Sequence, residues 1–398
     1  MPQLQSASPA SSPPKRILFF AFEGGTGIGH LRRISCIART LEQRFACLIV
    51  TGHREIANWF VSPGCEYVHI PAWDNLLPEK AAYWSRQPFL QLSVEEAVGL
   101  RKGMVRGVVE SYAPDLIIID HLPLGMHSEL DDVVRGTHCK KYLVTRGVLN
   151  LSGTLLDLVL GDTAREYLHR HYDRIVVAAD RNVIDFAKEY ALPADLAAKT
   201  VHVGYVTYPI SAEDILAFRT RRHAGGEKAW VVVSAGGGQL GESLIRYAIM
   251  LSAGHRDVLF DIVVGPRSSL PDGIDSGRPP KNLRVYSESR HMPMLNASAD
   301  IVICSGGYNT LLEALQGNAR ILCVPSWKDP RDEQTYHSKC LQKYADIEIV
   351  PEIEFLGSAF AATLARALSD NVNDRRRTLN LSGAKAVEKL IVEDLCQG

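Results

Sequence analysis

From Lys15 onward, short runs of β-branched and other apolar residues alternate with longer segments whose apolar positions recur at helical spacing. That alternation predicts an α/β chain in which parallel strands are covered by helices on both faces. The runs place strands at Arg16 to Phe22, Ala46 to Thr51, Glu66 to Ile70, Asp115 to Asp120, Lys141 to Thr145 and Arg174 to Ala178. Between the first two, Ile34, Ile37, Ala38 and Leu41 mark a helix, giving a βαβ unit with a glycine-rich first turn. A second series runs through Trp230 to Ser234, Val258 to Val264, Leu283 to Tyr286, Asp300 to Cys304, Arg320 to Val324 and Ile347 to Val350. Gly204, Pro209 and the polar stretch Arg219 to Lys228 interrupt the pattern between the two series. The expected organisation is a tail at 1–14, a Rossmann-like domain at 15–205, a linker at 206–228 and a second Rossmann-like domain at 229–398. An amphipathic stripe at Ala384, Val387, Leu390, Ile391 and Leu395 closes the chain, in position to pack back on the first domain.

At 398 residues and 46% hydrophobic content, the chain can build two cores. A formal net charge of -1 gives no global field to draw nucleic acid or anionic lipid, so any bound anion must be held locally. The eight cysteines are scattered without zinc-ligand spacing, which reads as reduced thiols. No apolar run reaches the roughly 18 to 20 residues that span a bilayer, and no secretion signal opens the chain, so the expected compartment is the cytoplasm. Residues 1–14 are rich in Ser, Pro and Ala and offer little to bury, which predicts a disordered tail.

Open parallel sheets bind ligands outside the carboxyl ends of their strands. The residues there carry the candidate chemistry. After the first strand comes Glu23-Gly24-Gly25-Thr26-Gly27-Ile28-Gly29-His30, opening a helix. Its glycines do not fit the dinucleotide spacing. His30 either caps a tight turn or serves as a general base, since imidazole titrates near neutrality. Asp120 ends an apolar strand on the same rim, where it either caps the next loop or orients His30. His121 and His127 are rival bases.

In the second series, Gly236, Gly237 and Gly238 follow the first strand and expose backbone donors suited to a diphosphate, or form a flexible loop. Cys304-Ser305-Gly306-Gly307-Tyr308-Asn309-Thr310-Leu311-Leu312-Glu313 puts a Gly-Gly turn before a helix, with N–H donors for phosphate oxygens. Thr310 and Glu313 also satisfy a capping-box pattern, which competes with a ribose-binding role for Glu313. Asp332-Glu333-Gln334 follows Val324-Pro325.

These motifs resemble the GT-B glycosyltransferases of the MurG-like, family 28 type, and more distantly family 1. The resemblance covers the organisation of nearly the whole chain after the tail. It implies a GT-B fold, two Rossmann-like parallel-sheet domains facing across a cleft, with the acceptor on the first and the nucleotide-sugar donor on the second. It further implies that Ser305, Gly306, Gly307, Asn309 and Thr310 cradle the diphosphate beside Gly236 to Gly238, that Glu313 binds the ribose, and that Glu333 and Gln334 hold donor-sugar hydroxyls. Cys304-Ser305 matches the MurG-like pattern where family 1 has a His, and Glu333 stands where Asp is usual.

The implied reaction is an inverting transfer from a nucleotide diphosphate sugar, uridine being the commonest base, with His30 as base and Asp120 as its partner. No D-x-D cluster suggests a metal, and no other cofactor is expected. The acceptor, a small molecule, natural product or lipid-linked compound, is expected over Gly27, Gly29, Trp73 and Trp84, because Pro71 to Leu90 is aromatic and irregular. The same aromatics could instead plug the loop onto its domain. No nucleic-acid partner is expected, and membrane contact would be peripheral at most. The alternatives are a nucleotide-sugar 2-epimerase or hydrolase on this fold, or a non-catalytic nucleotide-sugar-binding subunit.

Overall fold

The structure is a computed structural model that describes residues 13–22, 28–76, 90–149, 153–222, 228–234, 241–265, 280–325, 332–355, 357–369 and 379–396. Strands β1 (Arg16–Ala21), β2 (Ala46–Thr51), β3 (Glu66–His69), β4 (Leu116–Asp120), β5 (Lys140–Arg146), β6 (Arg174–Ala178) and β7 (Thr200–His202) form one sheet. Their order is β3-β2-β1-β4-β5-β6-β7. Strands β8 (Ala229–Ser234), β9 (Val258–Val263), β10 (Leu283–Tyr286), β11 (Ile301–Cys304), β12 (Arg320–Cys323) and β13 (Ile347–Ile349) form a second, ordered β10-β9-β8-β11-β12-β13. Each pairing within these sheets is parallel. All twelve expected strands are present with ends shifted by a residue or so; β7 was not expected, because Thr-Val-His carries almost no apolar signal.

Alternation along β1 explains why both faces of the sheet are dry. Ile17, Phe19 and Ala21 join one apolar cluster, while Leu18 and Phe20 join another on the opposite face. Each fully buried side chain of this kind contributes about 1.5–3 kcal/mol. The cluster holding Leu18 and Phe20 also includes Tyr205, Tyr308, Trp230 and Val302, so apolar packing is continuous between the two sheets.

The strand order reverses between β1 and β4 in the first sheet and between β8 and β11 in the second. A crevice opens at such a reversal, because the connections on its two sides leave in opposite directions. The carboxyl ends of β1 and β4 therefore flank one reversal and those of β8 and β11 the other. Contacts between Arg32 and Glu313 and between Arg33 and Tyr308 set the two reversals facing across one crevice.

Two stretches pass between the sheets side by side. The N–H of Tyr205 donates to the Asn380 carbonyl at 2.7 Å, and that of Gly383 donates to the Tyr205 carbonyl at 3.0 Å. A Cβ on Gly383 would stand 2.6 Å from the Gly204 carbonyl oxygen, so only glycine admits this approach. The closing helix Gly383–Cys396 then returns to the first sheet, burying Ala384, Val387, Ile391 and Leu395 beside Ile34 and Ile37.

The stretch expected as a polar linker contains the helix Ala212–Arg222. Its arginines are not simply solvated. Arg219 donates to the Ser298 carbonyl at 2.6 Å and pairs with Asp300 at 2.5 Å, while Phe218 stacks on Trp230. Residues 223–227 lie outside the described set.

Candidate active site

The helix Gly29–Leu41 begins at the rim of β1 and carries His30 in its first turn. Its N-cap, Ile28, makes no side-chain cap, and His30 caps nothing either; its Nδ1 contacts Asp120 Oδ2 at the end of β4. Both groups are buried. Arg33, one turn along the same helix, holds the same carboxylate with two hydrogen bonds, Nε to Oδ1 at 2.8 Å and Nη2 to Oδ2 at 2.7 Å. Asp120 is thus the shared partner of an imidazole and a guanidinium.

This sharing sets the charge states. Burial pushes His30 below its ordinary value against the opposing pull of Asp120, and the positive charges of Arg33 and Arg146 push the same way as burial. Burial alone would raise Asp120, but Arg33 and His30 outweigh it and hold the carboxyl below its usual range. At neutral pH the pair is therefore a neutral imidazole on an ionised carboxylate.

The rival histidines are differently placed. His121, with a left-handed φ of 67°, lies with its ring 5.3 Å from that of His30 and its Nδ1 3.1 Å from the Thr145 hydroxyl. Burial holds it well below its ordinary value, with Arg146 adding to the effect. It has the right location but no carboxylate partner among the described residues. His127 packs edge-on against Trp73 with centroids 4.5 Å apart, away from this cluster.

Across the crevice stands the turn after β11. Gly306 has φ +84°, and a Cβ there would lie 2.7 Å from Cys323 Sγ and 2.8 Å from Ser338 Oγ, so this position requires glycine. The helix Tyr308–Ala314 starts at N-cap Gly307 without a side-chain cap. Thr310 and Glu313 are therefore not a capping box, because Thr310 lies inside the helix. Asn309 faces the first domain: its Nδ2 is 3.2 Å from where a Cβ on Gly29 would sit. Tyr308 donates to the Ala178 carbonyl at 2.7 Å and lies under the Arg33 guanidinium, 5.8 Å from ring centroid to carbon. Ser305 and Thr310 are half-buried on the same turn.

Both carboxylates expected to meet the donor are already engaged by arginines of the first domain. Glu313 pairs with Arg32 at 2.5 Å and accepts from Asn296 Nδ2 at 2.7 Å, leaving it 1% exposed. Burial raises its carboxyl above the ordinary value, partly offset by Arg32 and Asn296. Glu333, first residue of the helix Glu333–Leu341, pairs with Arg146 at the end of β5. Asp332 caps that helix by accepting from the N–H groups of Gln334 and Thr335, and Gln334 is half-buried beside it.

Trp73 does not border the crevice as expected of an acceptor contact. It is 2% exposed, donates through Nε1 to Glu129 at 3.2 Å and lies against Arg101, so it braces the domain interior. Gly27, Trp84 and Gly236 to Gly238 lie outside the described residues.

Sequence reasoning missed Arg32, Arg33 and Arg146. The available signal for Arg33 was its place one turn after His30, which puts both on one helix face. Among the described residues no group of three or more His, Cys, Asp or Glu is arranged to hold a metal ion. Among them, too, no helix is long and apolar enough to cross a membrane, and all eight cysteines are free thiols.

Residues 231–393 match the glycosyltransferase family 28 C-terminal domain. Among solved structures, the chain is similar to the spinosyn forosaminyltransferase SpnP, with 15% identity over 97% of this chain and 100% of that one at a TM-score of 0.63. It is also similar to the calicheamicin glycosyltransferase CalG4, with 15% identity over 96% and 100% at a TM-score of 0.62. A Listeria monocytogenes protein carrying the name UDP-N-acetylglucosamine 2-epimerase aligns at 10% identity over 97% and 98%, TM-score 0.61. At such identities the likeness speaks for the fold, which is GT-B. No curated protein matches the chain.

Proposed function

We propose, from the premise that the chain is a GT-B glycosyltransferase with a family 28 C-terminal domain, that it moves a sugar from a nucleoside diphosphate to an acceptor hydroxyl with inversion. Uridine is the expected base, and the transfer proceeds without a metal ion. The observation that carries this reading is the buried His30–Asp120 pair facing the Gly306–Asn309 turn across the crevice.

The chemistry follows from the charge states. Asp120 keeps the proton of neutral His30 on Nδ1, which leaves the Nε2 lone pair to accept the acceptor's hydroxyl proton. The acceptor oxygen attacks the anomeric carbon as the bond from that carbon to the diphosphate oxygen breaks. The electron pair departs with the diphosphate, and the N–H groups of the glycine turn meet the growing charge. The acceptor enters over the first domain, and the donor lies chiefly on the second. Cytoplasmic chemistry on a small, natural-product or lipid-linked acceptor fits this arrangement.

Product analysis tests the reading. With isotope-labelled nucleotide sugars, a panel of acceptors and a chelator present, the expected result is a glycosylated acceptor of inverted anomeric configuration. Isomerised sugar would make the protein an epimerase, free sugar a hydrolase, and an unchanged bound donor a binding subunit.

Glu313 offers a separate check. Its ribose role requires Arg32 to give way, so Glu313→Ala is expected to weaken nucleoside diphosphate binding roughly tenfold, the scale of a lost charged hydrogen bond. Arg32→Ala should leave binding intact or tighter, because it frees the carboxylate. If calorimetry finds Glu313→Ala less stable but equally able to bind nucleotide, Glu313 only ties the domains together.

A further inference from the structure

The guanidinium of Arg146 bridges the two domains through Glu333 and has no role in the mechanism above. It ends β5 on the first domain, and its charge bears on His30, His121 and His337, the last pushed down to about 3 by burial and by Arg146. Burial, with this charge adding to it, holds all three imidazoles below their ordinary value. The neighbouring guanidinium of Arg33 has its charge met by Asp120 of its own domain. Arg146 instead has its counter-ion, Glu333, on the opposite domain. The pairing uses Nη1, while Nε is buried without a hydrogen-bond partner among the described residues.

A half-buried guanidinium whose partner comes from the other wall of a ligand cleft, with a buried Nε donor left over, is a site built for an anion. The Glu333 carboxylate is the resident anion there, and its own proposed task is to meet donor-sugar hydroxyls. We propose that Arg146 binds the diphosphate of the donor from the first-domain side and is held by Glu333 until the donor arrives. This rests on the donor reading under Proposed function and adds to it a diphosphate contact from the acceptor domain. Donor binding then exchanges one pairing for two: sugar hydroxyls go to Glu333, and a diphosphate oxygen goes to Arg146. The same guanidinium stays beside the leaving group as the bond to the anomeric carbon breaks, where its charge offsets the negative charge that develops.

The test measures calorimetric affinities of UDP, dTDP, ADP and GDP for the full chain, then carries the tightest of them and its nucleoside monophosphate into the variants. Arg146→Ala is expected to weaken the diphosphate about tenfold or more while changing the monophosphate far less. Arg146→Lys recovers part of the loss, because a point charge replaces a two-pronged donor. Glu333→Gln is expected to tighten the sugar-free diphosphate, since it releases Arg146 from a charged competitor. Unchanged diphosphate affinity in Arg146→Ala overturns the assignment and leaves Arg146 as a tie between domains. Should that variant fail to fold, Glu333→Gln decides alone: an unchanged ratio of diphosphate to monophosphate affinity overturns it equally. A wild-type chain that binds none of the four diphosphates removes the donor reading itself, and this proposal with it.

Discussion

Replacing His30 with alanine is expected to lower turnover by about 10² to 10⁴ while sparing donor affinity, the cost of losing a general base. The separation arises because the imidazole acts on the acceptor proton in the transition state, whereas the donor is held by the turn after β11. A pH profile adds a second signature. His30 lies below its ordinary value through burial, reinforced by Arg33 and Arg146, and only its neutral form accepts a proton. Activity should therefore hold a plateau at neutral pH and fall on the acid side, through a limb below about 6.5, the unperturbed histidine value. The limb should vanish in the alanine variant. A His30→Ala enzyme with wild-type kcat would remove His30 from the mechanism and turn attention to His121, whose ring is its neighbour.

The largest expected loss of stability lies away from the crevice. Arg101 and Glu129 are both fully buried, with Nε and Nη2 of the guanidinium 3.3 and 3.1 Å from Oε1. Glu129 also accepts from the Trp73 indole at 3.2 Å and the His127 backbone N–H at 2.9 Å. Arg101 donates to the Pro71 carbonyl at 2.5 Å between the rings of Phe22 and Trp73. Removing one partner leaves a charge without an opposite, so Glu129→Ala is expected to cost about 3–5 kcal/mol in reversible urea unfolding. The double replacement Arg101→Met with Glu129→Leu should recover only part of this: an apolar pair of similar volume needs no counter-ion, but the Trp73 indole and the His127 N–H lose their acceptor. A single variant within about 1 kcal/mol of wild type would show that water reaches the pair.

Strands and crevice were legible because they follow from periodicity and from the rule that ligands gather at strand ends. His30 and Asp120 are named by that rule alone, and they meet. Arg33 and Arg146 were not legible, since an arginine in a helix or at a strand end ordinarily reads as a solvated charge; their pairing depends on Asp120 and Glu333 arriving from 87 and 187 residues further along the chain. The capping-box alternative for Glu313 falls away, because Thr-x-x-Glu fits that pattern while the helix begins three residues earlier than it needs. The aromatic content of Trp73 suggested a binding face, although its indole was required to satisfy a buried carboxylate that local sequence does not reveal. The helix Val94–Tyr112, by contrast, was there to be found: Ser93 and Glu96 form a reciprocal capping box at its start.

The closing helix carries a consequence for how the protein is made. Its apolar stripe belongs to the cluster around Ile34 and Ile37, and Asp394 ties it to Arg174 at 2.8 Å and to the Tyr142 hydroxyl. A nascent chain that has just delivered β7 from the ribosome still lacks this cover. At about 5–20 residues per second, translation needs on the order of ten to forty seconds more to supply it. Throughout that interval the part of the first sheet's apolar face that the closing helix covers is open to chaperones and to other nascent chains. The first domain to be synthesised is thus the last to be completed.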